Sequence, residues 1–73
     1  MSNRKAHGPA IRGIREALGI SLRTCAKDVS LSPGYLSRIE AGDRQPTDNV
    51  IGRIAQRLGV TVDQITYPAE GAA

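Results

Sequence analysis

The sequence predicts an all-α fold, a compact five-helix domain. Two observations predict it. Apolar residues recur at three- and four-residue steps, the spacing of one helix face rather than of a strand. Between these stripes fall glycines, prolines and small hydroxyl residues at the places where helices end and begin. The chain has 73 residues, and a domain usually takes about 100–150, so there is room for one domain and no second. Phe and Trp are absent and Tyr35 and Tyr67 are the only aromatics, so the core must be built from Ile, Leu, Val and Ala.

Helix 1 is expected from Pro9 to Leu18, with Ala10, Ile11, Ile14 and Leu18 on one face and Gly19 at its end. Pro9 suits the first helical position, where its missing N–H costs nothing. Ser21 caps a short helix 2 whose apolar face is Leu22, Cys25, Ala26 and Val29. Ser32 caps helix 3, Pro33 opens it, Leu36 and Ile39 point inward, and Gly42 closes it. Taken alone, Ser32-Pro33-Gly34 reads equally as a loop. The apolar pair three residues on and the closing glycine favour the helix.

A polar loop, Asp43-Arg44-Gln45-Pro46, leads to Thr47, which caps helix 4. Its stripe is Val50, Ile51, Ile54, Ala55 and Leu58, ending at Gly59. Thr61 and Gln64 form a capping box for a last short helix with Val62 and Ile65 inside. Tyr67-Pro68 stops it. Leu18-Gly19-Ile20-Ser21 and Leu58-Gly59-Val60-Thr61 echo each other, a left-handed glycine followed by an apolar residue and the next cap. The expected organisation is a basic arm over 1–8, a domain over 9–66 and a loose tail over 67–73.

Several functional classes are excluded on composition. One cysteine makes neither an internal disulfide nor a zinc site. His7 is the only histidine and has no ligand partners at a metal-binding spacing, so no metal or cofactor is expected. No apolar run approaches the roughly 20 residues of a membrane helix. The basic start lacks the apolar stretch of a signal peptide, so a cytoplasmic protein is expected. No paired carboxylates, nucleophile with base, or phosphate-cradling loop is present, which argues against an enzyme, and no small-molecule ligand is evident. The sequence pI is about 9.6 and the net charge +3. That charge is directional: residues 1–45 carry net +4 and residues 46–73 net −1. A polyanion would therefore meet the first half.

Helix 2, a short turn and helix 3 make a helix-turn-helix. With Leu36, Ile39 and Glu40 turned inward, Gly34, Ser37, Arg38 and Ala41 point outward. That face has no bulky apolar residue and carries a cation, so it suits a DNA major groove, where Arg is a bidentate partner for guanine. The same pattern also describes a plain solvated face. Cys25 occupies a small inward position and reads as core filler. Arg53 and Arg57 read as a solvated face of helix 4. Tyr67 with Val62 and Ile65 reads either as a lid on the core or as the seam of a homodimer.

The sequence resembles the Cro/CI-type helix-turn-helix family of phage and bacteria, the xenobiotic response element group, whose fold is lambda repressor-like. The resemblance runs from about Ile11 to Ile65. It is carried by Ile11-Arg12-x-x-Arg15 with Gly19-Ile20-Ser21, by Cys25-Ala26, and by Ser32-x-x-Tyr35-Leu36-Ser37-Arg38-Ile39-Glu40-x-Gly42. Pro46-Thr47 and Ile54-Ala55-x-x-Leu58-Gly59-Val60 complete it. It implies that helix 3 is a recognition helix inserted in the major groove of double-stranded DNA, in a transcriptional regulator expected to be a repressor.

Position by position, it implies base reading by Pro33, Gly34, Tyr35, Ser37 and Arg38. Phosphate contacts fall to Ser21, Arg23, Ser32, Arg44 and Gln45. Glu40, costly to bury alone, is implied to pair with Arg15 and brace the recognition helix. Leu22 stands where many members have Gln, and Pro33 and Gly34 lack side-chain donors. Direct readout then leans on Arg38, Tyr35 and Ser37, with DNA shape supplying the remainder. Arg4 and Lys5 form either an arm along the phosphates or minor groove or an inert tail. The alternative function is a protein-interaction module, such as an antitoxin or a phage accessory factor, with secondary DNA binding.

Overall fold

In the computed structural model, which describes residues 4–68, four α-helices follow one another with short links. They are α1 (Gly8–Ala17), α2 (Leu22–Asp28), α3 (Pro33–Ala41) and α4 (Asp48–Leu58). Each begins on a side-chain cap, which gives one orphan helical N–H an acceptor. Ser21, Ser32 and Thr47 accept from Thr24, Tyr35 and Val50 N–H at 3.1, 3.1 and 3.3 Å. In α1 the acceptor is His7 Nδ1, 3.1 Å from Ala10 N. Because His7 caps it, α1 starts at Gly8, one residue ahead of the expected Pro9.

All four α-helices also end alike. Past the last turn stands a left-handed residue: Gly19 (φ 73°), Ser30 (φ 62°), Gly42 (φ 84°) and Gly59 (φ 73°). The N–H of the next residue reaches back to a helix carbonyl, from Ile20 to Arg15, Leu31 to Ala26, Asp43 to Arg38 and Val60 to Ala55, at 2.8–3.1 Å. This satisfies carbonyls that the helix leaves open. The apolar residue after three of these turns (Ile20, Leu31, Val60) packs against the core.

The largest fully buried side chains are Ile11, Leu36, Ile39, Ile51, Ile54 and Ile65 with Val29 and Cys25, so an aliphatic core gathers every helix. Each such side chain stabilises by about 1.5–3 kcal/mol relative to exposure. Among the described residues no helix is long and apolar enough to cross a membrane.

Two expectations are corrected here. The fifth helix is a single 3-10 turn, Val62–Ile65, and not an α-helix. Its capping box forms as expected between Thr61 and Gln64, but at Thr66 the backbone turns extended (φ −135°, ψ 157°). Thr66 pairs antiparallel with Ala6, leaving too few residues for an i→i+4 ladder. The second correction concerns the arm. From Arg4 to His7 the chain is docked on the domain, with His7 N–H on Ile65 C=O at 2.8 Å and Tyr67 N–H on Lys5 C=O at 2.9 Å. Ala6 is buried, the Arg4 guanidinium bonds Asp63 and Thr66, and the His7 ring stacks on Tyr67 at 4.2 Å. Burial of Ala6 and this bridge outweigh the solvation that would favour a free basic segment. Tyr67, expected to open the tail, is held by the same bridge. The remaining arm positions 1–3 and tail positions 69–73 lie outside the described residues.

Candidate nucleic-acid interface

The α2–α3 turn is set by Ser30, the one non-glycine residue in the left-handed region among the described residues. Serine there is strained relative to glycine. The return bond from Leu31 N–H to Ala26 C=O, 2.8 Å, holds it. The turn presents α3 with Leu36, Ile39 and Glu40 buried and with Pro33, Gly34, Ser37, Arg38 and Ala41 exposed. Tyr35 is half-buried and packs its ring against the core.

A shallow cleft of about 240 Å³ lies beside the N-terminal half of α3, lined by Ser32, Gly34, Tyr35, Arg38 and Arg44. Four of these five residues come from α3 and its cap, and Arg44 comes from the loop after it. Among the described residues Arg38 and Arg44 make no ion pair, whereas Arg12 pairs with Glu16 at 3.1 Å and Arg57 with Asp28 at 2.6 Å. Arg57, expected on a solvated face, thus ties α4 to α2. Pro33 and Ser37 are exposed on α3 without lining the cleft.

The remaining residues named for phosphate contact are placed apart from that cleft. Ser21 and Arg23 are exposed at the start of α2, and the Ser21 hydroxyl donates to Thr24 Oγ1 at 2.9 Å. Gln45 is exposed, but its Oε1 accepts the Ala6 N–H at 3.0 Å. Arg4 turns its guanidinium to Asp63 and Thr66 and lines a separate depression with Tyr67 and Pro68.

Behind the cleft, α3 is braced by a buried ion pair. Arg15 Nε donates to Glu40 Oε2 at 2.7 Å and Nη2 to Glu40 Oε1 at 3.0 Å, a bidentate fork. Its Nη1 donates to Ile20 C=O at 2.8 Å, so one side chain joins α1, the α1–α2 turn and α3. Hydrogen bonding to Glu40 raises the Arg15 pKa above its ordinary value, against the desolvation that would lower it. Among the described residues no buried side-chain polar atom lacks a partner. Cys25 is fully buried, and desolvation pushes its thiol pKa up, the opposite of a reactive thiol.

Sequence reasoning missed Gly8, which touches the end of α3, and His7 as a cap. Neither residue type announces such a role. Ser30 carried no signal either, because the left-handed position usually shows itself as glycine.

This arrangement of two short capped helices, a tight turn and an outward cationic face can be set against known proteins. The helix-turn-helix family model matches residues 11–65. The chain belongs to the helix-turn-helix family. Its Cro/CI-type character is the one that the sequence resemblance implies. An HTH-type transcriptional regulator of Mycobacterium tuberculosis is 38% identical over 56 residues, covering 77% of this chain and 40% of the relative. The helix-turn-helix chain thus spans well under two thirds of that relative's length. The crystal structure of the clp gene regulator ClgR from Corynebacterium glutamicum superposes with a TM-score of 0.75 at 34% identity, over 80% of this chain and 62% of that one. The biofilm regulator SinR, solved in complex with DNA, gives a TM-score of 0.71 at 28% identity, over 75% and 89% of the two chains.

Proposed function

We propose that this helix-turn-helix domain binds double-stranded DNA sequence-specifically, as a homodimeric transcriptional repressor that reads the major groove with α3. The observation that carries the reading is the cleft where Arg38 and Arg44, without an ion pair among the described residues, flank the exposed start of α3. The positive first half of the chain and the likeness to SinR, a protein solved with DNA, support it. Pro33, Gly34, Tyr35, Ser37 and Arg38 are the base-reading face, with Arg38 the principal hydrogen-bond donor. Ser21, Arg23, Ser32 and Arg44 face phosphates and fix the register, which orients without specifying sequence.

Selection of bound fragments from a random duplex library tests this directly. A short, nearly palindromic motif is the expected result, because a symmetric dimer reads two half-sites about one helical turn apart. Recovery of no motif would overturn the reading and favour a protein partner. On the selected duplex, Arg38→Ala should cost about 1–3 kcal/mol and relax preference at one base pair. Arg44→Ala should instead weaken all sequences alike and flatten the salt dependence.

A further inference from the structure

The end of α3 and the loop after it each meet the first described residues at one point. Gly8 lies against the backbone of Ile39 and Glu40, where a Cβ would stand 2.3 Å from the Glu40 carbonyl oxygen and 2.6 Å from that of Ile39. Ala6, buried, gives its N–H to Gln45 Oε1. The bonds that make the Ala6–Thr66 bridge run from His7 N–H to Ile65 C=O and from Tyr67 N–H to Lys5 C=O. They leave the Ala6 N–H outside the ladder, so Gln45 supplies its acceptor. A buried N–H is seldom left without one, because the desolvation is then uncompensated.

Gln45 stands between two residues of opposite character. Arg44 before it is exposed and lines the cleft beside α3, and Pro46 after it is buried. Pro46 fixes the far side of the loop, and Gly42 in its left-handed turn fixes the near side. Between them, among the described residues, the Gln45 side chain is the loop's hydrogen-bonded tie to the strand at the chain start.

We propose that Gln45 is a positioning residue: its amide oxygen ties the 43–46 loop to Ala6 and thereby places Arg44 at the cleft, in place of a phosphate contact of its own. The consequence for binding rests on the DNA-binding reading above, whereas the tie itself belongs to the free protein. Gln45 thus leaves the set of phosphate contacts implied by the sequence resemblance and joins the residues that act through others. The docked strand, in turn, supports the interface through its bond to Gln45.

A double-mutant cycle between Gln45→Ala and Ala6→Pro separates the two roles, since Ala6→Pro removes the same N–H without touching the loop. Each single variant should weaken binding to the library-selected duplex about fivefold, the worth of one ordinary hydrogen bond. The double variant should bind no worse than either single. Full multiplication of the two losses would overturn the proposal, because a direct phosphate contact is independent of Ala6.

Amide spectra of the free protein provide the readout that needs no DNA and no folded Ala6→Pro variant. Gln45→Ala should shift the amides of residues 43–46 and abolish exchange protection at Ala6, while His7 and Tyr67 amides stay protected. Unchanged Ala6 protection would overturn the tie whatever the binding result. If the wild-type chain binds no duplex, the function reading fails, and the amide result still decides the tie.

Discussion

The two ends of α3 are held in different ways. At its start, Ser32, Pro33 and Gly34 are exposed, and the contacts are a cap and the half-buried Tyr35 ring. At its end, Ile39 and Glu40 are buried, Arg15 grips Glu40 bidentately, and Gly8 lies against the last carbonyls. The lesson is a division of labour along nine residues. Rigidity is concentrated where α3 meets α1, so the other end can be left bare for a ligand and still be held in a fixed direction. Side chains that pack (Leu36, Ile39, Glu40) and exposed side chains proposed for recognition (Pro33, Ser37, Arg38) then occupy different faces of the helix and do not compete.

Breaking the anchored end should give the largest effect. Arg15→Ala leaves the Glu40 carboxylate buried without its partner and frees Ile20 C=O. Removing one member of a buried pair costs about 3–5 kcal/mol, a large part of the stability of so small a domain. Thermal or urea unfolding should show it, and a midpoint within a degree or two of wild type would refute the bracing role.

The next effect sharpens the same contrast inside α1, which holds two glycines in its interior and first turn. Gly13 has nothing within 4 Å of the Cβ it lacks, whereas Gly8 would drive its Cβ into the Glu40 carbonyl. Alanine is the better helix former at both positions by roughly 1 kcal/mol. Gly13→Ala should therefore stabilise by up to about 1 kcal/mol. Gly8→Ala should destabilise by about 1–3 kcal/mol, because backbone cannot swing aside as a flexible side chain can. Equal and favourable effects at both sites would mean that α1 does not press on α3.

How much of this was legible follows from where each signal sits along the chain. The helices were legible because their marks are local. Ser21, Ser32 and Thr47 cap three residues ahead, and Gly19, Gly42 and Gly59 close each turn in place. The end of the second helix carried no such mark, since Ser30 takes the left-handed position that the other three give to glycine. The Arg15–Glu40 pairing came from family resemblance; the residues themselves say only that a buried Glu40 needs a partner. The docked strand was not legible at all. Its one bridge joins residues from opposite ends of the chain, and Arg4-Lys5-Ala6-His7 has the composition of a free arm. A short non-local pairing leaves no periodicity to read, so charge suggested a free segment where Arg4 bonds Asp63 and Thr66. In the candidate site the residue types were readable, but the gathering of Arg44 with Arg38 in one cleft depends on the loop path, which is set by that same strand.

The smallest effect on stability is expected from Arg38→Ala, and it decides whether the division along α3 is real. The Arg38 side chain is exposed and, among the described residues, forms no ion pair. Substitutions at such surface positions usually change stability by less than about 0.5 kcal/mol, and alanine fits a helix at least as well as arginine. The unfolding midpoint should then stay where it is while affinity for the selected duplex falls. Arg15→Ala should show the reverse order, with affinity lost only as fast as the fold is lost. If Arg38→Ala instead lowered the midpoint as far as Gly8→Ala does, the exposed face of α3 would be an anchor too. That face would then have to be explained by packing, and the helix would have no face reserved for recognition.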